Sequence, residues 1–279
     1  MTPRRGSVRY LLGGRFYSMA WVEWGDPAAP VVVCLHGLTR NGRDFDPLAQ
    51  ALAADFRVIC PDLPGRGASD WLADPSLYVP ASYVAPMTHL LATLPGPVGF
   101  VGTSLGGIVG MLIAAAEGQP IGRLVLNDVG RFIPKAALSR IRGYMGQSVD
   151  FADIADLEHH LRVIHRPFGD LTAAQWRHLA EHSARTLAHG RLAMHYDPAI
   201  AVPILAAEPA DGELGVFWNR ISIPRLTVRG EASDLLPEEI FAQMGRDGSE
   251  LHTVENAGHA PALMDAATIA VVKAFLEGK

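Results

Sequence analysis

The stretch PVGFVGTSLGGIVGMLIAAA, residues 97–116, passes from an apolar segment through a glycine-serine-glycine turn into a second apolar segment. Its first part reads as a strand buried on both faces and its second as a helix, with Ser104 at the junction. The chain holds 28 glycines in 279 residues, so a G-x-S-x-G match carries little weight without its context. Here the context fits. A strand-turn-helix junction lifts the serine oxygen above the sheet, and the flanking glycines let neighbouring backbone approach. The helix N-terminus then directs N–H groups and partial positive charge to the same place.

Working outward, short apolar runs rich in β-branched residues recur at 30–37, 56–62, 123–128, 224–230 and 250–255 and also read as strands buried on both faces. Helix-like segments lie between them, at 45–55 and 81–94 for example, and the pattern closes with one at 265–278. Alternating strands and helices predict an α/β fold with a mostly parallel central sheet and helices on its faces. The segment 8–25 alternates around Gly13-Gly14, which predicts an antiparallel hairpin at the start. Between about 131 and 220 no strand-like run occurs, while 135–146, 152–164 and 172–190 read as helices. The expected organisation is a core of residues 1–130 plus 221–279, with 131–220 inserted as a helical cap.

Composition narrows the function. With 49% hydrophobic residues, 19% charged residues and a formal net charge of -5, the chain is a globular protein without the basic field that binds nucleic acid. The basic N-terminal residues precede no apolar segment of signal-peptide length, and the strongest apolar run is too short to cross a bilayer. A cytoplasmic location away from membranes is expected, with a small-molecule substrate as partner; the oligomeric state is not legible. Cys34 and Cys60 sit inside strand-like runs and read as buried free thiols.

A serine hydroxyl is a weak nucleophile, so Ser104 requires a histidine base and an acid that orients it. His259, in ENAGHAPALMD, follows the last strand, and Asp234, in TVRGEASDLLP, follows the strand before it. Asp128, in LVLNDVG, also ends a strand and is the alternative acid. The loop CLHGLTRNG supplies Leu38, whose N–H together with that of Leu105 forms the expected oxyanion hole. His36 is expected to brace that loop, and Asp62 and Asp70 to tie the PDLPGRGASD loop together.

The order LHG, PDLPGRGASD, VGTSLGG, RGEASD, GHAP resembles the α/β-hydrolase superfamily, in the capped branch that includes esterases, enol-lactonases, carbon-carbon bond hydrolases and cofactor-free perhydrolases. The resemblance implies the α/β-hydrolase fold, Ser104 as the nucleophile, Asp234 as the acid, His259 as the base, and Leu38 and Leu105 as oxyanion donors. Epoxide hydrolases and dehalogenases of this superfamily carry aspartate at the nucleophile position, so Ser104 points away from both. The expected activity is hydrolysis of a small carboxylic ester or lactone through an acyl-enzyme, with no cofactor. A carbon-carbon bond hydrolase using the same triad and a non-catalytic small-molecule receptor are the alternatives.

Three features sit outside this frame. HLAEH, residues 178–182, places two histidines one helical turn apart, as zinc peptidases do; no further motif offers a third ligand, so a solvated helix face and no metal are expected. Trp176, Tyr196, Phe217 and Trp218 either line an acyl pocket or form the cap's own core. Arg40 either receives a substrate carboxylate or lies on the surface.

Overall fold

The structure is a computed structural model that describes residues 2–146 and 149–279. The hairpin forms as expected: β1 (Arg4–Leu12) pairs antiparallel with β2 (Arg15–Trp24), and Gly13 and Gly14 turn with φ of 57° and 79°. The main strands follow as β3 (Val31–Leu35), β4 (Arg57–Pro61), β5 (Val98–Thr103), β6 (Ile121–Asn127), β7 (Arg225–Gly230) and β8 (Glu250–Val254). They make one eight-stranded sheet in the order β1-β2-β4-β3-β5-β6-β7-β8, parallel from β4 to β8.

Strand periodicity divides the apolar residues between the two faces. In β3, Val31, Val33 and Leu35 join one apolar cluster and Val32 and Cys34 the other. The helices α2 (Pro80–Leu91) and α3 (Leu105–Ala114) cover the first face, and α1 (Asp46–Leu52) and α10 (Ala266–Glu277) cover the second. Cys34 and Cys60 are buried free thiols. The expectation of burial on both faces fails for β8, whose residues are all exposed or half-buried because it is the edge of the sheet.

Residues between β6 and β7 form α4 (Lys135–Tyr144), α5 (Ile154–Ile164), α6 (Ala173–Ser183), α7 (Ala201–Ala206) and α8 (Gly215–Trp218), followed beyond β7 by α9 (Glu238–Arg246). Contrary to the strand-free reading, this insertion also holds short strands. Asp150–Phe151, Leu192–Met194 and Ala184–Thr186 form one small sheet, and Phe132–Ile133 pairs with Gly212–Glu213. Segments of two or three residues are too short to leave a period-2 signature. The insertion has a small core of its own, built on Phe151, Leu157, Leu161, Trp176 and Leu179. Among the described residues, no helix is long and apolar enough to cross a membrane.

Candidate active site

Ser104 sits between β5 and α3 with φ 50° and ψ -112°, a backbone conformation rare for a residue with a side chain. The glycines around it are sterically required. A Cβ on Gly102 would come within 2.5 Å of the Gly106 carbonyl oxygen, and one on Gly106 would run into the Leu35 carbonyl of the neighbouring strand. The Ser104 N–H donates to the Asn127 carbonyl at 2.9 Å, which locks the turn to the end of β6.

The Ser104 Oγ lies 2.9 Å from His259 Nε2, and His259 Nδ1 lies 2.7 Å from Asp128 Oδ2. The acid in contact with the histidine is therefore Asp128 at the end of β6 and not Asp234. Asp234 is about half exposed and forms a two-pronged ion pair with Arg140 of α4, Arg140 Nη2 meeting its Oδ1 at 2.9 Å. The physical reason lies in the loop after β7, which presents donors to Asp128 rather than a carboxylate to His259. The Gly230 N–H reaches Asp128 Oδ1 at 2.9 Å and the Ser233 hydroxyl reaches Oδ2 at 2.6 Å. Asp128 is wholly buried, and donors to both its oxygens offset the cost of withdrawing a carboxylate from water.

Leu38 and Leu105 both lie beside Ser104 on a cavity of about 460 Å³. As the first residue of α3, Leu105 has an N–H with no intrahelical acceptor, so it can serve a ligand. The Leu38 loop is fixed from two sides. His36 is fully buried; its Nδ1 donates to the Gly37 carbonyl at 2.7 Å and its Nε2 accepts from the Leu63 N–H at 2.9 Å, which sets the tautomer. Burial pushes this imidazole down to about 3, so it stays neutral as a brace. On the other side Arg66, also wholly buried, donates from Nε to the Leu38 carbonyl at 2.9 Å and lays its guanidinium over the Tyr83 ring. Asp62 and Asp70 tie the adjoining loop by accepting from Gly42, Ala68 and Ser18 backbone N–H groups.

The cavity is apolar, walled by Tyr78, Tyr83 and Ile108 from the sheet layer and by Leu138, Ile141 and Ile204 from the insertion. Of the two fates open to the four aromatics, lining this cavity is not the one the structure shows. Trp176 belongs to the insertion's own core, and Trp218 is buried with its Nε1 donating to Asp247 at 2.9 Å. Tyr196 faces a separate cavity of about 150 Å³ that reaches Thr39, and Phe217 packs against the main core. Arg40 is neither exposed nor on the wall of the Ser104 cavity: 5% exposed, it is paired through two nitrogens with Asp44 at 2.7 Å each. Large aromatics and a paired arginine lose least by being packed inside, and sequence cannot separate that fate from pocket lining.

HLAEH is not a solvated helix face. His178 and His182 are 26% and 29% exposed and turn toward the buried Asp46 of α1. Three further residues went unread in the sequence: Ser233 and Arg66, as described, and Asn127, whose Nδ2 donates to Thr103 Oγ1 at 3.0 Å and to the Pro261 carbonyl at 2.8 Å. A polar residue at a strand end next to Asp128 was the available signal for Asn127; nothing local marked Arg66.

Residues 32–273 match the model of the alpha/beta hydrolase family. The chain belongs to that family. Among its relatives is the 3-hydroxybutyrate-oligomer hydrolase of Cupriavidus necator, 42% identical over 289 residues that cover 99% of each chain. An esterase of Mycobacterium tuberculosis is 28% identical over 255 residues, 85% of this chain and 79% of that one. The crystal structure of an alpha/beta hydrolase from Novosphingobium aromaticivorans superposes with a TM-score of 0.89 at 36% identity over 99% of both chains. This alpha/beta hydrolase thus shares its whole length, and not just its sheet, with hydrolases.

Proposed function

We propose that this alpha/beta hydrolase is a serine esterase acting on a small carboxylic ester, and that its natural substrate class is the short oligomer of a 3-hydroxyacid. The observation that carries the reading is the continuous chain from Ser104 Oγ to His259 at 2.9 Å and on to Asp128 at 2.7 Å, opening onto an apolar cavity. The oligomer class is supported by the relative at 42% identity, which spans the same length.

In the first half-reaction His259 Nε2 takes the Ser104 proton as Oγ bonds to the ester carbon. The N–H groups of Leu38 and Leu105 receive the oxyanion, the bond to the alkoxy oxygen breaks, and that oxygen leaves with the proton from His259. Water then enters, loses a proton to the same nitrogen, and attacks the acyl carbon. The acid departs as Ser104 recovers its proton. Asp128 holds the Nδ1–H tautomer and stabilises the imidazolium while it lasts. The insertion acts as a cap that supplies part of the acyl pocket through Leu138, Ile141 and Ile204.

The test measures kcat/KM for p-nitrophenyl esters of rising acyl length and for the dimer and trimer of 3-hydroxybutyrate, each beside Ser104→Ala. Turnover of both sets, lost by a factor of about ten thousand or more in the variant, is expected. Wild-type rates no higher than those of Ser104→Ala would overturn the esterase reading. Ester turnover without oligomer turnover would overturn the substrate class alone.

A further inference from the structure

Helix α6 and helix α1 meet at a cluster that the ester chemistry does not use. His178 and His182 lie one turn apart on α6, and Asp46 opens α1. Asp46 Oδ2 is 3.4 Å from His178 Nε2 and 4.0 Å from His182 Nε2, and the two imidazole rings stand edge-on with centroids 4.4 Å apart. All three donor atoms fall within 4.8 Å of one another. Asp46 is 1% exposed, and its second oxygen, Oδ1, has no hydrogen-bond partner among the described residues. A buried carboxylate oxygen without a donor is costly, and a cation held by this carboxylate offsets that cost.

We propose that Asp46, His178 and His182 form a binding site for a divalent transition-metal ion of the zinc type. Two imidazoles at i and i+4 on one helix face, joined by a carboxylate from a second element, are the donor set that Zn²⁺ and its first-row neighbours prefer. The third ligand comes from residue 46, over a hundred positions away from the histidine pair, which is why the sequence pattern lacks it. Water completes the coordination through the exposed quarter of the histidine side chains.

Arg43 is the competitor already in place. Its Nε pairs with Asp46 Oδ2 at 2.7 Å, and its carbonyl faces His178 Nε2 at 3.0 Å. The histidine nitrogens lie nearest Asp46 Oδ2, the same oxygen that Arg43 holds, and a guanidinium and a dication on one oxygen repel, so the ion displaces the Arg43 head group, which is 22% exposed and has water to turn into. His178 then carries its proton on Nδ1 and offers Nε2 to the metal. The bound ion straps the insertion to the sheet layer. None of the three ligands lines the cavity of Ser104; Asn41, in the loop that carries Leu38, donates from Nδ2 to the His182 carbonyl at 2.8 Å.

The test uses tag-free, chelator-treated protein titrated calorimetrically with Zn²⁺, with Co²⁺ absorption as the report on coordination and Tm as the report on strapping. One equivalent is expected to bind, with a Tm rise of about 5 °C at saturating metal. The His178→Gln/His182→Gln double variant is expected to lose at least about tenfold in affinity while keeping wild-type ester turnover, which reports that it folds. Arg43→Gln is expected to bind Zn²⁺ about tenfold more tightly, since the competing cation is gone. Substoichiometric binding by the wild type, equal affinity in the double variant, or unchanged affinity in Arg43→Gln would each overturn the site.

Discussion

The strand ends around Ser104 and the insertion that faces them are built on opposite principles. At the strand ends the groups are fixed by hydrogen bonds: Ser104 to the Asn127 carbonyl, Asp128 to Gly230 and Val228, His259 to Ser104 and Asp128, the Leu38 loop to His36 and Arg66. In the insertion, most of the wall of the cavity is aliphatic and held by packing, as with Leu138, Ile141 and Ile204, and the polar residues at its edge, Arg142 and Glu208, are half-buried or exposed. The first region can hold charges in one geometry through the reaction, and the second can change shape residue by residue without disturbing it. Under the proposed function, chemistry and selectivity are thus separated in space and in the kind of contact that holds them.

The sharpest way to break this comparison is through the acid. Asp128→Asn keeps the shape of the side chain but favours the wrong imidazole tautomer, and kcat is expected to fall about ten-thousand-fold. Its counterpart Asp234→Asn, which removes only a surface ion pair with Arg140, anchors the other end of the scale below. A smaller effect is expected from the insertion: Ile204→Trp fills part of the cavity and should lower the ratio of long-chain to short-chain kcat/KM by about 10- to 100-fold, with little change on acetate. A comparable loss on acetate would mean that the insertion also positions the reacting groups, and the separation would fail.

Smaller again is a pH effect at the loop brace. The His36 imidazole is held down to about 3 when folded, so between its ordinary value near 6.5 and about 3 the unfolded chain binds a proton that the folded chain refuses. The stability this group contributes is complete above the ordinary value and is lost as pH falls toward 3. In a Tm series over that range His36→Gln should descend less steeply than the wild type; parallel curves would remove His36 from the acid sensitivity. Last, Asp234→Asn is expected to leave kcat/KM within about twofold and stability within about 1 kcal/mol, because an exposed pair is worth little.

Much of this architecture was legible beforehand. The β-branched runs predicted the buried strands β3 to β7, Gly13-Gly14 the hairpin, and the glycines around Ser104 the strained turn, because each rests on local sterics or on a short period. The choice between Asp128 and Asp234 was not legible. Both end strands, and the deciding fact is that the loop after β7 turns Ser233 and Gly230 inward and Asp234 outward, which is settled by three-dimensional packing. The same limit explains Trp176 and Trp218, whose size marked them as important without saying whether they face a ligand or a core. It also explains why HLAEH reads as a solvated face: Asp46, toward which both histidines turn, is remote in sequence.

The order of the reacting groups along the chain has a consequence in the time of synthesis. Ser104 and Asp128 precede the insertion and His259 follows it, so 131 positions separate the acid from the base. At about 5–20 residues per second, a ribosome takes roughly 7–26 s to cross that interval. If Ser104 acts as proposed, the emerging polypeptide carries it throughout that interval without His259 to take its proton, as an unactivated hydroxyl.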